Sequence, residues 1–336
     1  MKGIFELEES RLREEIIRRG AKRILLQLPD GLKTETPRLA AIIEDAGALA
    51  IVSADPCYGA CDLAMDEAEE LKVDLIVHYG HSELLKPGLL PVIYIEARSK
   101  IDVKGIIEEA ILCLKPWTRI GLVTIVQHIH ILSEARDLLK KAGKKVIIGD
   151  AGCMRYLGQV MGCDYSNAEV ISGDVEAFLF VGGGRFHAVG LILATMKPVV
   201  VADPFERKAY LLETDLQRII SRRWADISKA RESSILGILI GLKPGQKNLE
   251  VALKIKEELE KRGKEAVLLA LREITPEIQL HFPTVEAFVN TACPRISLDE
   301  PTIFIKPMLT VNEALVMLGR IKWEDLLKGG WFRKFI

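Results

Sequence analysis

One order of strands and helices occurs three times along the 336 residues of the chain. In each copy an apolar strand-like run is followed by an amphipathic helical stretch and then by three further apolar runs. A proline stands at the start of the fourth run of each copy, at Pro91, Pro198 and Pro301. This spacing of about a hundred residues is too long for a solenoid and predicts three repeated domains.

The apolar runs are solidly hydrophobic rather than alternating, which is typical of parallel sheets covered by helices on both faces. The predicted fold class is therefore α/β, with three similar domains, each a small parallel sheet flanked by helices, arranged around a central cluster site. The predicted domains are 1–100, 101–232 and 233–336. The predicted strands are 21–28, 48–52, 74–78 and 91–95, then 119–124, 145–148, 178–181 and 198–201, and finally 235–240, 266–269, 286–289 and 301–305.

The overall charge and hydropathy exclude several classes of function. The formal net charge of −1 provides no broad basic surface, so a nucleic-acid partner is not expected. Residues 1–19 are charged throughout and predict an amphipathic helix rather than a signal peptide. No apolar run reaches the length of a membrane span. We therefore expect a soluble cytoplasmic protein with no membrane partner.

Three of the six cysteines follow predicted strands beside glycine or proline: Cys61, Cys163 and Cys293, one in each copy. Parallel α/β sheets bind ligands at the carboxyl ends of their strands. Cysteines in such loops of a cytosolic protein indicate metal binding or catalysis rather than disulfides. Because the chain has no CxxC pair, a structural zinc site is less favoured. Three soft thiolates suit an iron–sulfur cluster in which one iron has no protein ligand.

The residues alone leave the choice of cysteines open. Cys57 lies in the same loop as Cys61 and competes with it as a ligand, and Cys153 similarly competes with Cys163. Cys113 lies in a predicted helix, 105–114, and is interpreted as a core residue. The simplest alternative is a set of unrelated buried cysteines, because free cysteine is commonly buried and inert.

Glycine-rich turns follow two of the predicted third strands, at Gly80–His81 and at Gly182–Gly184. Such turns allow a ligand or carboxylate to approach the backbone closely. Neither turn has the GxGxxG spacing, so a classical dinucleotide site is not supported. Tight turns with no ligand are the alternative interpretation.

Other polar side chains at strand ends are candidates for substrate contacts. His128 and His130 flank Ile129, and strand-like alternation would place both on one side, toward the crevice. A structural histidine is the alternative for each. Arg295 follows Cys293 by two residues and is suited to bind a carboxylate with two parallel hydrogen bonds, although a plain surface arginine would give the same pattern.

Several short motifs are similar to those of the archaeal diphthamide-biosynthesis enzymes, the 2-(3-amino-3-carboxypropyl)histidine synthases. The similarity extends from about residue 21 to residue 309 and keeps the order of motifs in all three copies. Residues 323–336 match nothing in that family. The motifs are Tyr58–Asp62 (YGACD), Leu75–Ser82 (LIVHYGHS), Gln127–His130 (QHIH), Gly158–Ser166 (GQVMGCDYS), Phe186–His187 (FH) and Ala292–Arg295 (ACPR).

This resemblance implies a cofactor, a cosubstrate and an acceptor. Cys61, Cys163 and Cys293 would bind a [4Fe–4S] cluster whose open iron holds S-adenosylmethionine. The bond between the sulfur and the methionine γ-carbon would break, and methylthioadenosine would leave. The 3-amino-3-carboxypropyl group would then join C2 of one histidine of translation elongation factor 2. The resemblance also implies a homodimer and an electron donor that the sequence does not identify.

Two further sets of residues are predicted at the site. Histidine titrates near neutral pH, so histidine side chains of this protein could orient or deprotonate the acceptor histidine of elongation factor 2. Arg295 is the leading candidate to hold the carboxylate of S-adenosylmethionine. The set predicted to bind S-adenosylmethionine is Gly59, Gly80, His81, Gly183, Gly184 and Arg295, and the set predicted to act on the acceptor is His128, His130 and His187.

Two other functions fit three α/β repeats around a three-cysteine cluster. Quinolinate synthase uses an open iron as a Lewis acid in condensation and dehydration. A non-catalytic iron–sulfur carrier would need no substrate site. The motifs around the cysteines favour the diphthamide enzyme, and formation of methylthioadenosine would separate it from both alternatives.

Overall fold

Three separate parallel sheets follow one another along the chain in the computed structural model, which describes residues 3–85, 88, 90–213, 216–299 and 303–333. When the strands of each copy are numbered along the sequence, all three sheets share the order 2-1-3-4. The first strand therefore lies between the second and the third. Reversal of the strand order at this point opens a crevice at the carboxyl edge of each sheet. We call the three sheets with their helices units 1, 2 and 3.

Unit 1 consists of a four-stranded parallel sheet and a small two-stranded ribbon. Leu25 of the central strand pairs with Ile51 on one side and with Ile76 on the other. Gly47, at φ 86°, follows the second helix in the left-handed conformation that favours glycine. The elements are β1 (Phe5–Glu6), α1 (Glu9–Arg19), β2 (Arg23–Gln27), α2 (Thr36–Asp45), β3 (Leu49–Val52), α3 (Met65–Glu70), β4 (Leu75–Tyr79), β5 (Val92–Ile95) and β6 (Arg98–Ser99).

Unit 2 has four parallel strands and a fifth, antiparallel strand that the sequence did not predict. This extra edge strand pairs Leu211 with Val200. All five residues of its third strand are buried, as expected for a sheet covered on both faces. The elements are α4 (Lys104–Cys113), β7 (Arg119–Thr124), α5 (Leu132–Lys141), β8 (Lys145–Ile147), α6 (Ser166–Ile171), β9 (Ala177–Val181), α7 (Phe186–Thr195), β10 (Val199–Asp203) and β11 (Lys208–Leu211).

Unit 3 repeats the four-stranded parallel sheet. Ile238 of its first strand pairs with Leu268 of the second and with Val289 of the third. The elements are α8 (Leu216–Glu232), β12 (Ile235–Gly241), α9 (Leu249–Glu260), β13 (Glu265–Leu271), α10 (Ile278–His281), β14 (Ala287–Asn290), α11 (Pro294–Leu298), β15 (Met308–Thr310), α12 (Val311–Met317) and α13 (Trp323–Leu327).

A short 3-10 helix follows the first strand of every unit. The three segments are Asp30–Glu35, Val126–Ile131 and Pro244–Gln246. Because a first strand is central in its sheet, each of these turns lies at the crevice. The structural repeat therefore includes the turns that line the three crevices as well as the strands.

The predicted fourth strand of the third copy, 301–305, is wrong. Pro301 and Thr302 lie outside the described residues, and Ile305 is exposed to 81%. The fourth strand is β15, and Pro307 directly precedes it.

The proline before each fourth strand has one repeated hydrogen bond. The carbonyl oxygens of Pro91, Pro198 and Pro307 accept bonds of 3.1, 2.9 and 2.8 Å from backbone N–H groups within the third strands. Proline has no N–H to donate, so it is tolerated at the start of a strand, where its carbonyl can still pair. Pro307, not Pro301, is therefore the repeated proline.

The N-terminal helix is shorter than predicted. It spans Glu9–Arg19, whereas the helix was expected over residues 1–19, of which 1 and 2 lie outside the described residues. Phe5–Glu6 instead pairs antiparallel with Arg98–Ser99. Hydrogen bonding to a strand from the end of unit 1 thus replaces the first helical turns, a tertiary effect that helical periodicity does not reveal.

The predicted domain limits stay predictions, and one helix bears on them. The predicted second domain ends at residue 232, so it would include helix α8. Ile227 and Ala230 of that helix pack in the same core as Leu236 and Ile238 of unit 3. We therefore describe α8 with unit 3.

A buried ion pair joins α8 to the end of the third sheet. Arg223 is fully buried, and its guanidinium bonds to both carboxylate oxygens of Glu313, each at 2.6 Å. It also bonds to Asp226 at 3.0 Å and to the carbonyl oxygen of Met308 at 2.7 Å. Glu313 completes a capping box with Thr310 at the start of α12. One carboxylate thus stabilises both a helix start and a buried cation.

We expect Glu313→Ala to destabilise the protein by about 3–5 kcal/mol, because it leaves the Arg223 guanidinium buried without its main partner. The measurement is chemical denaturation followed by circular dichroism. The matched control is Glu257→Ala, which removes an exposed ion pair of 2.6 Å with Lys261 and should leave the denaturation midpoint unchanged. Equal midpoints for wild type and Glu313→Ala would contradict the expectation.

Candidate metal centre

Three cysteines lie in loops that follow strands, one in each unit. Cys61 follows β3, Cys163 lies between β8 and α6, and Cys293 directly precedes α11. The pKa of the Cys163 thiol is raised to about 12, first by burial and then by the nearby thiols of Cys293 and Cys61. Burial also raises the pKa of the Cys293 thiol, and the Cys61 thiol raises it further. Thiols from the three units therefore lie close enough to affect one another's pKa.

These thiols fit a soft metal cofactor. None of the three forms a disulfide, and each keeps part of its surface accessible. Thiolate donors select iron–sulfur clusters and other soft metals over magnesium or calcium. The side-chain amide of Gln246 donates a hydrogen bond of 3.5 Å to Cys61 Sγ, a contact that would stabilise a ligating thiolate.

The remaining cysteines lie in different surroundings. Cys57 is buried, and one donor atom each from Cys57, His78 and His81 lie within 4.8 Å of one another. Cys113 packs against the core of unit 2, and Cys153 is exposed. In the first loop, Cys57 is therefore the alternative to Cys61, and it has two other possible metal ligands beside it, His78 and His81.

The loop that carries Cys61 is held by unit 3. The Gly245 N–H donates a hydrogen bond of 2.8 Å to the Cys61 carbonyl oxygen. A Cβ atom at position 245 would come within 2.6 Å of Cys61, so the close approach requires glycine. Lys243 pairs with Asp62 at 3.1 Å and lies 4.1 Å from the centre of the Tyr58 ring. The YGACD motif is therefore positioned across the boundary between two units.

Arg295 joins units 2 and 3 and is not free to bind a substrate carboxylate. Its side chain is 4% exposed, and it pairs with Asp299 at 2.7 Å. It donates to the Phe186 carbonyl oxygen at 2.6 Å and to the Tyr165 hydroxyl at 3.3 Å. Because all three guanidinium nitrogens have protein partners, the predicted clamp is corrected to a structural bridge next to Cys293.

The two histidines of the QHIH motif do not face the same way. They lie in the 3-10 helix Val126–Ile131, where His128 is fully buried and His130 is exposed. A 3-10 helix has three residues per turn, so positions two apart lie on different faces, and the prediction from strand alternation was wrong. The His128 ring lies 5.6 Å from that of Phe205, and both of its nitrogens lack a hydrogen-bond partner among the described residues. His128 is therefore a core residue.

His187 of unit 2 and His81 of unit 1 are close enough for His81 to lower the pKa of His187. The pKa of His187 is lowered to about 3, first by burial and then by Arg295 and His81. Burial lowers the pKa of His81 to about 4. Both rings are partly accessible, and both are neutral at physiological pH.

The predicted glycines mainly make room for protein atoms. A Cβ at Gly80, which has φ 82°, would lie 2.8 Å from the Pro29 ring. A Cβ at Gly183 would lie 2.7 Å from Phe205, and the Gly184 N–H already donates to Asp203 at 2.8 Å. Gly59 is buried beside Cys61. A role of these glycines in binding S-adenosylmethionine stays a prediction.

Sequence reasoning missed the residues that support the site from unit 3 and from the first strand. Lys243, Gly245 and Gln246 contact the Cys61 loop, and Gln27 bonds to the carbonyl oxygen of Asp62 at 2.7 Å. A signal was present, because Pro244–Gly245 follows the first strand of its copy, as Pro29–Asp30 does in unit 1. Comparing the turns after all three first strands would have identified this segment.

The fold and its cysteines define a class of protein: an α/β protein with three sheets, each of which has a cysteine in a loop that follows one of its strands. A sequence model described as "Putative diphthamide synthesis protein" matches residues 28–327. The 2-(3-amino-3-carboxypropyl)histidine synthase of Pyrococcus horikoshii is 37% identical over 331 residues, which cover 97% of this chain and 95% of that protein. Subunit 1 of the human synthase is 31% identical over 311 residues, 91% of this chain and 70% of that protein.

The chain belongs to the diphthamide synthesis protein family. A crystal structure of Dph2 from Pyrococcus horikoshii with a 4Fe-4S cluster superposes with a TM-score of 0.86, at 36% identity, over 94% of this chain and 92% of that chain. The family resemblance and the α/β fold class predicted from the sequence are confirmed. No helix in the described part of the chain is long and apolar enough to cross a membrane.

The perturbed thiols predict an order of alkylation in protein prepared without a metal. The thiolate is the reactive form, so the raised pKa of Cys163 makes it slow to react with iodoacetamide at about pH 8. Its rate should rise about tenfold per pH unit as the thiolate fraction grows. Exposed Cys153 should be modified first. Peptide mass spectrometry gives the order of modification. Equal rates for Cys153 and Cys163 would contradict the raised pKa of Cys163.

Proposed function

We propose that this chain catalyses the first step of diphthamide synthesis on translation elongation factor 2. It is a transferase that uses S-adenosylmethionine as cosubstrate and a [4Fe–4S] cluster as cofactor. The 3-amino-3-carboxypropyl group replaces the hydrogen on C2 of one histidine: a carbon–sulfur bond breaks, methylthioadenosine leaves, and the C2 hydrogen is released as a proton. The observation that carries the proposal is the convergence of three thiols, one from each unit, in a chain of this family.

Cys61, Cys163 and Cys293 hold the cluster in this proposal. Three protein ligands for four irons leave one iron open to the cosubstrate. When bound, the cluster supplies the electron that breaks one carbon–sulfur bond of the sulfonium. The partly accessible position of each thiol at a crevice supports this arrangement, because an open iron must be reached by the cosubstrate.

The protein itself selects which carbon–sulfur bond breaks. A sulfonium offers three carbons, and the one held nearest the open iron reacts, so positioning decides the product. The loops that carry the cysteines are fixed by neighbouring units through Gly245 and Arg295. A rigid frame of this kind orients the cosubstrate and excludes water while leaving a mouth between the units for a histidine of another protein.

The remaining assignments concern partners and location. The family acts on a target protein, and we infer that this target is translation elongation factor 2. We also infer a homodimer, an external electron donor, a cytoplasmic location and no nucleic-acid partner. The net charge of −1 favours recognition of the factor by shape and local contacts over long-range steering.

Replacing Cys61, Cys163 or Cys293 singly by alanine should remove most of the cluster, because two thiolates hold it far less well than three. The measurement is iron and sulfide content after anaerobic reconstitution, together with the electron paramagnetic resonance signal of the reduced protein. Cys113→Ala and Cys153→Ala are matched controls that should keep both. Loss of the cluster in Cys57→Ala with retention in Cys61→Ala would place the first ligand at Cys57.

Reduced enzyme with labelled S-adenosylmethionine should label one histidine of archaeal elongation factor 2. A factor with that histidine changed should take no label, and any methylthioadenosine formed with it comes from uncoupled cleavage. In air the reaction should stop, because an iron without a protein ligand is open to oxidants. The products are separated by chromatography and the labelled site is located by mass spectrometry. Equal labelling of both factors would refute transfer to this histidine.

A further inference from the structure

A chain of hydrogen bonds runs from the first strand of unit 1 to the turn that follows β4. Gln27 Oε1 lies 2.8 Å from His78 Nδ1, and His78 Nε2 lies 2.9 Å from His81 Nδ1. Gln27 and His78 are buried, whereas His81 is partly accessible. The chain therefore ends at a ring that a ligand can reach.

Backbone groups fix the direction of every bond in this chain. The Ala64 N–H donates to Gln27 Oε1 at 3.2 Å, and the Gln27 amide nitrogen donates to the Asp62 carbonyl oxygen at 2.7 Å. These two contacts identify the amide oxygen, so the facing His78 Nδ1 carries the hydrogen. His78 Nε2 then accepts, and His81 Nδ1 is the donor.

His81 therefore presents a bare Nε2. A neutral imidazole has one N–H and one lone pair, and the N–H is already used toward His78. Burial keeps the His78 and His81 rings neutral by lowering the pKa of each. The lone pair of Nε2 is thus fixed as a hydrogen-bond acceptor.

The neighbourhood of His81 suits a neutral aromatic ring. His187 is close enough to His81 for its pKa to be lowered by it, and its ring lies 4.9 Å from the Phe186 ring and 6.0 Å from the Phe180 ring between centroids. The charged group that perturbs His187 is Arg295, a cation. An ammonium group would be disfavoured beside this cation, whereas a neutral imidazole can lie among the rings and donate one N–H.

We propose that Nε2 of His81 accepts a hydrogen bond from the ring N–H of the acceptor histidine. In imidazole, C2 is bonded to both nitrogens, so holding one nitrogen fixes C2 within one bond of the anchor. His81 would thus fix the position of the acceptor ring, with C2 one bond away from the nitrogen that it holds. This role rests on the proposed function and replaces the contact with S-adenosylmethionine predicted for His81 from the sequence.

The activity test compares two products in three variants. His81→Ala should form methylthioadenosine within about threefold of wild type, while labelling of the elongation factor falls about tenfold or more. His81→Gln keeps an acceptor oxygen and should recover part of the labelling. His281→Ala, an exposed histidine on α10, is the matched control and should change neither product.

Two other outcomes of this comparison would overturn the proposal. Unchanged labelling in His81→Ala would overturn the role of His81. A parallel fall of both products would also overturn it, because His81 would then act on S-adenosylmethionine. If wild-type enzyme forms neither product, the proposed function fails, and the spectroscopic test below still decides whether Nε2 is an acceptor.

The second readout does not depend on turnover. Full-length protein with ¹⁵N-labelled histidine, purified anaerobically, is studied by NMR and titrated with imidazole alone. We expect the Nε2 resonance of His81 at the position of an unprotonated nitrogen and a saturable shift as imidazole binds. The saturable shift should be absent in His81→Ala and retained in His281→Ala. A protonated Nε2 in the free protein, or no shift with imidazole, would overturn the role.

Discussion

The contact between the turn after β12 and the Cys61 loop is the interaction on which the site depends. A backbone N–H of Gly245 reaches the Cys61 carbonyl oxygen at 2.8 Å, a distance that a side chain at position 245 would prevent. Lys243 adds ion pairs to Asp62 and, at 2.8 Å, to Glu273. Two separately folded sheets are joined at the point where the first thiol is presented, so the thiol's position follows from the docking of the sheets.

The boundary between units 2 and 3 is held by a charged side chain, whereas a backbone hydrogen bond holds the Cys61 loop. Arg295 lies between units 2 and 3 with its charge paired by Asp299 and its face against the Phe186 ring. Desolvating a guanidinium is costly, and the cost is offset only when every nitrogen finds a partner. The residue beside Cys293 is thus committed to holding the frame. Arg295 therefore stabilises this boundary through its ion pair and hydrogen bonds and is not available to bind a substrate.

Local sequence signals predicted most of the fold and the positions of the three thiols. Apolar runs marked β2, β7 and β12 because these strands are buried on both faces, and glycine or proline marked the loops that follow. Tertiary contacts decided the rest: Phe5–Glu6 joins a strand, and Arg295 is taken up by partners up to 130 residues away. The segment holding His128 and His130 looked like a strand end, but its 3-10 geometry separates the two rings. Such choices depend on neighbours that a single sequence does not display.

The three-sheet arrangement has a thermodynamic consequence for cofactor retention. If each sheet supplies one sulfur, the free energy of binding the cluster is linked to the free energy of docking the sheets. A substitution at Gly245 or Arg295 would then shorten the lifetime of the holoprotein without touching a ligand. Conversely, loading with iron and sulfide would stiffen boundaries that are otherwise held by a few polar contacts. Cluster occupancy and the docking of the three sheets would therefore increase or decrease together.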